Sequence, residues 1–247
     1  MKTLILAAFA AALPLHADTL AEVRAAVTAL HGTQPIRATA ELHRTDNDQG
    51  RFTNEKFSGA ATVDMALDGE GVHLSFSNSM VEQFRREERE KTADPKKVDP
   101  VSRTASDVGP LWVLQHLNAT ETFLGMLKYA KLESEARAAW QSHPARLLVF
   151  RLNEPVPEGL KGLGSFDVKE DRLRLWIGDD NLPLAAEHVQ NATIRFLFFH
   201  GFLKVHEAWS FTRASDHLVV SRHDSSHNAE MLGQKSAGDK STVVTLR

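Results

Sequence analysis

Histidine is the residue type in this sequence most able to support chemistry. The chain contains twelve His and no Cys, so a transition-metal site would have to use imidazole and carboxylate ligands. His217, His223 and His227 share one parity along an extended strand, and Asp224 lies among them. Residues 224–228, however, read as a polar loop, in which strand parity has no meaning. The spacing therefore favours ordinary histidines over a metal site.

Other catalytic signatures are incomplete. His206-Glu207 lacks the second His of the HExxH zinc signature. Ser165 lacks the pattern of a nucleophile elbow, because Phe166 and Asp167 follow it. We therefore expect no catalytic residue, no metal and no cofactor. The alternative is a metal-dependent hydrolase, whose ligands would come from His200, His206, His217, His223 and His227.

Composition and charge argue against a nucleic-acid-binding protein. The chain has 29 Lys and Arg against 32 Asp and Glu, for a formal net charge of −3. Nucleic-acid binding requires a basic patch or stripe, and no basic tract stands out, so we expect no nucleic-acid partner. The densest charged run, residues 85–91, mixes both signs at helical spacings and is typical of a solvated helix face.

Residues 1–17 resemble a cleavable secretion signal. Lys2 precedes an apolar stretch over residues 4–15, and the small residue Ala17 follows, which is the order of a signal peptide. The stretch is too short to span a bilayer, and no second long apolar run follows it. We therefore expect a secreted or periplasmic protein whose single domain covers residues 18–247. It should have no transmembrane segment and at most peripheral membrane contact.

The first part of the predicted mature chain combines one helix with several strands. Residues 19–31 place Leu and Val on one stripe and end at a Gly, as in an amphipathic helix. Residues 36–42 alternate apolar and polar side chains with a period of two, which predicts a strand. Residues 57–67 and 72–76 alternate likewise around a turn at 68–71 and predict a β-hairpin.

A helical insert is predicted over about residues 79–143, where the apolar period changes from two to nearly four. The helix expected over 111–129 is apolar on more than one face, whereas a helix with a single neighbour normally shows only a stripe. The predicted parts of the insert are a helix over about 80–93, a mobile polar loop over 93–109, and helices over 111–129 and 132–140.

Strands return after residue 145 and continue to the C terminus. Their connections are short, and parallel pairing would require crossovers of a dozen or more residues, so the strands should form an antiparallel meander. A tight turn is expected at 170–171 and an interruption at 200–201. Together the elements predict an α+β fold, with a large curved antiparallel sheet, an N-terminal helix and a helical insert. The predicted strands are 146–152, 166–169, 172–177, 184–189, 194–205, 207–212, 218–223 and 242–246.

One predicted hairpin resembles a known family. Residues 173–189, LRLWIGDDNLPLAAEHV, resemble the signature of the periplasmic lipoprotein-carrier superfamily, which includes LolA, LolB and LppX-like proteins and the N-terminal domains of RseB-type proteins. Gly178 stands where that signature usually has Asp, and Ala185 stands where a basic residue is common. The matching residues are Trp176, Ile177, Asp179, Asn181, Leu182, Pro183 and Leu184.

The resemblance implies an unclosed half-barrel whose helices cover a concave, apolar face. It also implies a carrier or sensor, not an enzyme, that binds an apolar ligand such as a lipid, an acyl chain or a lipoprotein. Apolar surface on the helix expected over 111–129, and on both faces of 194–205, agrees with such a site. The predicted ligand-binding residues are Trp112, Leu114, Leu117, Phe123, Leu124, Leu127, Phe196 and Phe198.

Two alternatives from other functional classes stay open. A metal-dependent hydrolase would need imidazoles that converge at about 2.0–2.1 Å from a common point. A structural or interaction protein of the periplasm would use the edge of its sheet to bind a partner strand.

Overall fold

The computed structural model describes residues 16–50, 54–152, 165–196 and 199–247. Most of the predicted secretion signal, residues 1–15, lies outside these ranges. The described residues form five helices and ten strands. In chain order these elements are α1 (His16–Thr28), β1 (Ile36–Gln49), β2 (Asn54–Asp68), β3 (Gly71–Ser75), α2 (Asn78–Ala93), α3 (Pro100–Ala105), α4 (Pro110–Leu117), α5 (Thr120–Met126), β4 (Ala130–Trp140), β5 (His143–Leu152), β6 (Ser165–Ile177), β7 (Pro183–Phe196), β8 (Phe199–Ala214), β9 (His217–Met231) and β10 (Gln234–Leu246).

The ten strands form one antiparallel sheet in the order β3-β2-β1-β10-β9-β8-β7-β6-β5-β4. This order follows the chain except where β1 pairs with β10, which joins the first strand to the last. Among the described strands, β3 and β4 are the two edges, so the sheet is not closed into a barrel. The predicted α+β class, with a large curved antiparallel sheet, is confirmed.

The helix α4 covers one half of the concave face, which is the face of the sheet that the helices cover. Buried positions in β1 alternate with more exposed ones from Ile36 to Leu42, because successive strand residues point to opposite faces. Val113 and Leu117 of α4 form one apolar cluster with these residues and with Val63 of β2. This cluster holds α4 on the sheet.

The helices α1 and α5 cover the other half of the same face. Val27 and Phe123 are fully buried in a second cluster with Phe150 of β5 and Leu175 of β6. The rings of Phe123 and Phe211 meet edge-on, with their centroids 5.7 Å apart. Burying one large apolar side chain contributes about 1.5–3 kcal/mol, so these contacts fix α5 at its place above β8.

The short helix α3 packs on β2 and is tied to α2 by a buried carboxylate. Glu87 of α2 is 5% exposed and accepts hydrogen bonds from the backbone N–H groups of Val101 at 3.1 Å and Ser102 at 2.9 Å. Gly59 of β2 permits the close approach of α3, because a Cβ at that position would lie 2.2 Å from the carbonyl oxygen of Pro100. Glu87 thus caps the N terminus of α3, and the absence of a side chain at Gly59 lets α3 pack closely on β2.

Two predictions about the helical insert are wrong. The loop expected over 93–109 contains α3, which begins at Pro100 and packs on β2. The helix expected over 132–140 is the edge strand β4, which pairs with β5 along its length. Its sequence is rich in the helix formers Ala and Glu, but pairing with β5 satisfies its backbone and overrides that preference. The helices of the insert therefore end with α5 at Met126, well before residue 143.

Three predictions about the later strands are also wrong. The strand β6 continues through residues 170–171, which pair regularly with β7, and a β-bulge lies just before them, between Val168 and Glu170. The break expected at 200–201 lies earlier, between β7 and β8. The segment 224–228, expected to be a loop, belongs to β9 because β8 and β10 pair with it on either side.

The carboxylate of Glu87 provides a test of how α3 is anchored. Burial alone would raise the pKa of Glu87, but hydrogen bonds from Ser102, Gln83 and Val101 lower it. We expect Glu87→Gln to reduce the free energy of unfolding by about 1–2 kcal/mol at pH 7, because an amide has one acceptor oxygen where the carboxylate has two. Urea denaturation at several pH values measures the effect.

The matched control is Glu88→Gln, since Glu88 is exposed on the same helix. The pKa of Glu87 is lower in the folded state than its ordinary value of 4.5, so its contribution is present above pH 4.5 and is lost as pH falls through the lowered pKa. Equal unfolding energies for the two variants at pH 7 would contradict the anchoring role.

Candidate functional site

A cavity of about 350 Å³ lies between the concave face and the helices α4 and α5. Apolar and ionisable side chains both line this cavity, close enough together for one small molecule to contact both. The apolar walls include Leu42, Trp112, Met126, Trp209, Phe211 and Val220. The ionisable side chains at its walls include Arg44, Asp107, His116, Glu207, His223 and Lys240. The cavity is therefore amphipathic.

A row of four ionisable side chains crosses the sheet beside this cavity, and we call it the polar row: Asp171, His188, Glu207 and His223. His188 of β7 lies directly opposite Glu207 of β8, and Trp209 lies opposite His223 of β9. Nε2 of His188 is 2.7 Å from Oδ1 of Asp171, and its Nδ1 is 3.8 Å from Oε2 of Glu207. Nε2 of His223 is 3.7 Å from Oε1 of Glu207. Glu207 thus lies between two imidazoles.

The polar row favours ionised side chains at its centre. Burial alone would raise the pKa of Glu207, but His188 and His223 lower it to about 2. Burial also opposes protonation of His188, yet Glu207 and Asp171 together raise the pKa of this imidazole above its ordinary value. Buried charges are tolerated when they are paired. The positive charge of protonated His188 is therefore balanced by the carboxylates of Asp171 and Glu207.

His116 of α4 lines the same cavity from the helical side. It is 4% exposed, and its ring lies against Trp112 with the centroids 4.0 Å apart. Nδ1 of His116 is 2.8 Å from the carbonyl oxygen of Trp112. Burial lowers the pKa of His116 to about 4, although this hydrogen bond opposes the change and the nearby His223 adds to it. The imidazole is therefore neutral at pH 7.

Two Trp–His pairs meet at the cavity, one from α4 and one from the sheet. Trp209 stacks on His223 with ring centroids 5.0 Å apart and an interplanar angle of 11°. The ring centroids of His116 and His223 are 6.1 Å apart. Within the described ranges, Nε2 of each histidine is buried and has no hydrogen-bond partner. Buried polar atoms are nearly always hydrogen-bonded, so the imidazoles of His116 and His223 are the least satisfied polar side chains in the described wall of this cavity.

The two cations that line the cavity are paired with carboxylates. Nζ of Lys240 is 2.5 Å from Oδ2 of Asp107. Arg44 contacts Oδ2 of Asp46 at 2.7 Å and Oδ2 of Asp107 at 3.6 Å. The two positive charges are thus balanced by two negative ones, and an anion entering the cavity would have to compete with Asp107.

The predicted ligand-binding residues are brought to the cavity only in part. Trp112 lines it. Leu114, on the same helix, is 37% exposed. Phe198 and the side chain of Phe196 lie outside the part of the chain that the structure describes. Ligand binding by these residues stays a prediction.

The remaining predicted binding residues lie in the core. Leu117, Phe123 and Leu127 are fully buried in the two apolar clusters, and Leu124 packs beside them. The sequence predicted one long helix with apolar side chains on more than one face. The structure has two short helices instead, separated at residues 118–119, and each buries its own apolar face against a different part of the sheet.

The histidines of the hydrolase alternative are spread over different environments. His217 is fully buried, and its Nε2 is 2.6 Å from a backbone carbonyl oxygen. Nε2 of His206 is 3.0 Å from Glu187, Nε2 of His227 is 3.1 Å from a Ser hydroxyl, and His200 is exposed. Among the residues that the structure describes, no three His, Asp or Glu side chains form a group that could hold a metal ion.

Several residues of the site were not predicted from the sequence, among them His116, Asp171, His188, Glu207 and Trp209. A usable signal exists for two of them, because Glu207 and Trp209 share the strand parity of the buried Phe211. Polar side chains in phase with a buried apolar residue are candidates for the covered face of a strand. His188 shares the parity of the buried Ala186 in the same way.

Comparisons with known proteins assign no family. No family model and no curated protein matches the chain. The crystal structure of a DUF1329 family protein from Desulfovibrio piger is 11% identical, with a TM-score of 0.28, over 95% of this chain and 92% of that one. The Pseudomonas aeruginosa MucA/MucB complex structure is 7% identical, with a TM-score of 0.23, over 92% of this chain and 93% of that one.

Similarity at this level is too low to support a statement about function. None of the described helices is both long enough and apolar enough to cross a membrane.

The state of His116 is open to direct measurement by nitrogen-15 NMR of the histidine side chains. We expect His116 to stay neutral, with its proton on Nδ1, from pH 7 down to about pH 5, and to protonate only near its lowered pKa of about 4. A His116→Asn variant identifies the resonance by its loss. Titration of His116 near its ordinary pKa of 6.5 would contradict the buried, neutral state.

The same shift has a consequence for stability. Because the folded-state pKa lies below the ordinary value of 6.5, the unfolded chain binds more protons, and stability falls as pH is lowered from 6.5 towards 4. The His116→Asn variant should therefore lose less stability than the wild type over this interval.

Proposed function

We propose that this chain is an exported, non-catalytic binding protein that holds an apolar ligand with a polar end, such as a lipid or another molecule with an acyl chain. The ligand lies in the cavity between α4, α5 and the concave face. The observation that carries the proposal is the amphipathic lining of this cavity, in which Trp112, Phe211 and Val220 lie close to the imidazoles of His116 and His223.

The size and lining of the cavity support this proposal. Its volume of about 350 Å³ falls within the range of roughly 300–1,000 Å³ that small-molecule sites occupy. Met126, Phe211 and Val220 offer aliphatic and aromatic surface on which an acyl chain could pack. Each buried methylene would contribute about 0.8 kcal/mol, so a short length of chain is enough for measurable affinity.

The arrangement of the polar row favours binding over hydrolysis. His188 is held by Asp171 and Glu207 on its two ring nitrogens. An imidazole that faces two carboxylates is favoured in its protonated form, and a protonated imidazole cannot accept a proton from a nucleophile.

Exposed apolar side chains near the cavity support peripheral membrane contact. Leu111 of α4 is 67% exposed and Leu114 is 37% exposed, and both belong to the helix that carries Trp112 and His116. A helix with exposed Leu residues could touch a bilayer while the ligand enters or leaves. The carrier or sensor role expected from the likeness of residues 173–189 to lipoprotein carriers is consistent with this arrangement.

A cavity-filling variant tests the proposal. Thr122 lines the cavity on α5 and is half-buried, whereas its neighbour Glu121 is exposed. We expect the wild type to bind the neutral, apolar fluorophore N-phenyl-1-naphthylamine saturably. Thr122→Phe should weaken this binding by about tenfold or more, because its ring occupies the space for the ligand, and a tenfold change is a modest free-energy difference.

Glu121→Phe is the matched control, since it adds the same ring to the same helix outside the cavity. Thermal unfolding confirms that both variants fold. The proposal fails if the wild type shows no saturable binding, or if both variants bind the fluorophore as the wild type does.

A further inference from the structure

His116 lies on the face of α4 that packs against the sheet. It shares this face with Val113 and Leu117, which are fully buried in the apolar cluster that holds α4 on the sheet. His116 itself is 4% exposed, so the imidazole is enclosed by protein as long as α4 stays in place. We call this arrangement the closed position of α4.

The closed position suits a neutral imidazole and not a protonated one. A carbonyl oxygen can only accept, so Nδ1 of His116 carries the proton that it donates to the carbonyl oxygen of Trp112, 2.8 Å away. A second proton would have to go to Nε2, which is buried and has no hydrogen-bond partner among the described residues. A buried charge is costly unless it is paired and hydrogen-bonded. Protonation of His116 therefore opposes the closed position.

The titratable side chains that β9 and α5 contribute near α4 do not compensate a charge on His116. His223 of β9 faces it, with ring centroids 6.1 Å apart, and adds to the effect of burial in lowering the pKa of His116. Glu207 of β8 contacts His223, with Oε1 and Nε2 3.7 Å apart, so this carboxylate is paired on the sheet. His217 of β9 is fully buried, with its Nε2 2.6 Å from a backbone carbonyl oxygen. Glu121 of α5 is exposed.

The other charged side chains near α4 are paired or lie on the opposite face of the sheet. Asp107, which lines the cavity, contacts Lys240 and Arg44. Asp64 of β2 and His73 of β3 alternate with the apolar residues that pack under α4, so they point away from this helix. A proton on His116 thus meets no free negative charge in the described part of the chain.

We propose that α4 is an acid-sensitive cover of the cavity, and that protonation of His116 favours a state in which α4 has left the sheet and the cavity is open. At neutral pH the burial of Val113 and Leu117 holds the cover closed. Non-helical residues, Gly109 and Asn118, bound α4 at its two ends, so its movement need not displace α3 or α5. Release of a ligand by this route rests on the proposed function, whereas the opening of α4 does not.

Hydrogen exchange of the full chain without ligand measures the opening. Burial lowers the pKa of His116 from 6.5 to about 4, and exposure to water in the open state restores the ordinary value. The ratio of open to closed α4 should therefore rise about twentyfold from pH 7 to pH 5. We expect the protection factors of the amides at 114–117, which are corrected for the intrinsic effect of pH on exchange, to fall by this factor. The amides of α5 should change far less.

The His116→Phe variant removes the titratable group and keeps a ring of similar size. Its α4 amides should lose most of the pH dependence of their protection, because no proton is taken up on opening. His31→Phe, at an exposed histidine, is the matched control and should keep the pH dependence of the wild type. If His116→Phe does not fold, His116→Asn takes its place, since its side chain is also neutral at both pH values.

The dissociation rate of N-phenyl-1-naphthylamine tests release through the opened cover. This fluorophore stays uncharged between pH 7 and pH 5, so a change in its dissociation reports on the protein. We expect the rate from the wild type to rise as pH falls from 7 to 5, because release requires α4 to open. The rate from the His116→Phe variant should stay nearly constant over the same interval.

The outcomes separate the acid-sensitive cover from the proposed function. Unchanged protection of the α4 amides between pH 7 and pH 5, or an equal loss of protection in His116→Phe, overturns the cover. Loss of α4 protection without faster dissociation of the fluorophore overturns its role in release. If the fluorophore does not bind at pH 7, the proposed function fails, and hydrogen exchange still decides whether α4 opens in acid.

Discussion

The candidate site depends on one constraint, which is that the carboxylate of Glu207 lies on the covered face of the sheet. A carboxylate partly withdrawn from water is stable when cationic or donor groups surround it, and the side chain of Glu207, which is 32% exposed, has His188 and His223 on either side. The positions of these imidazoles are set by cross-strand register, because His188 is directly opposite Glu207 and His223 is opposite the next inward residue, Trp209. The polar row therefore keeps the centre of the concave face from closing into an ordinary apolar core.

The covering helices complete the site because they are short and separate. The helical structure is interrupted between α4 and α5. At this interruption the N–H of Ala119 donates a hydrogen bond to the carbonyl oxygen of Leu218 in β9, at 2.8 Å. Each helix then buries its own apolar face, through Leu117 in one cluster and Phe123 in the other. This arrangement places Trp112 and His116 at the cavity without requiring them to fill it.

Much of the fold could be predicted from local patterns, whereas the site could not. The alternation from Ile36 to Leu42 and the turn at 68–71 identified β1 and the β2–β3 hairpin, because those signals lie within a few residues. The strand β4 was missed, since pairing with β5 outweighs the helical preference of its Ala and Glu residues. The polar half of β9, residues 224–228, was missed because its strand structure depends on neighbours distant in the chain. The polar row could not be predicted for the same reason. Its four residues belong to four different strands, and no local pattern in the sequence reveals how those strands align.

The proposed function requires the concave face to hold a small ligand with an apolar chain and a polar end. Native mass spectrometry of the protein purified from cells that produce it, followed by solvent extraction and identification of released molecules, is the decisive experiment. We expect a stoichiometric adduct whose released molecule carries a long apolar chain. Protein that shows only the mass of its polypeptide, and that releases no lipid-like molecule on extraction, would contradict it.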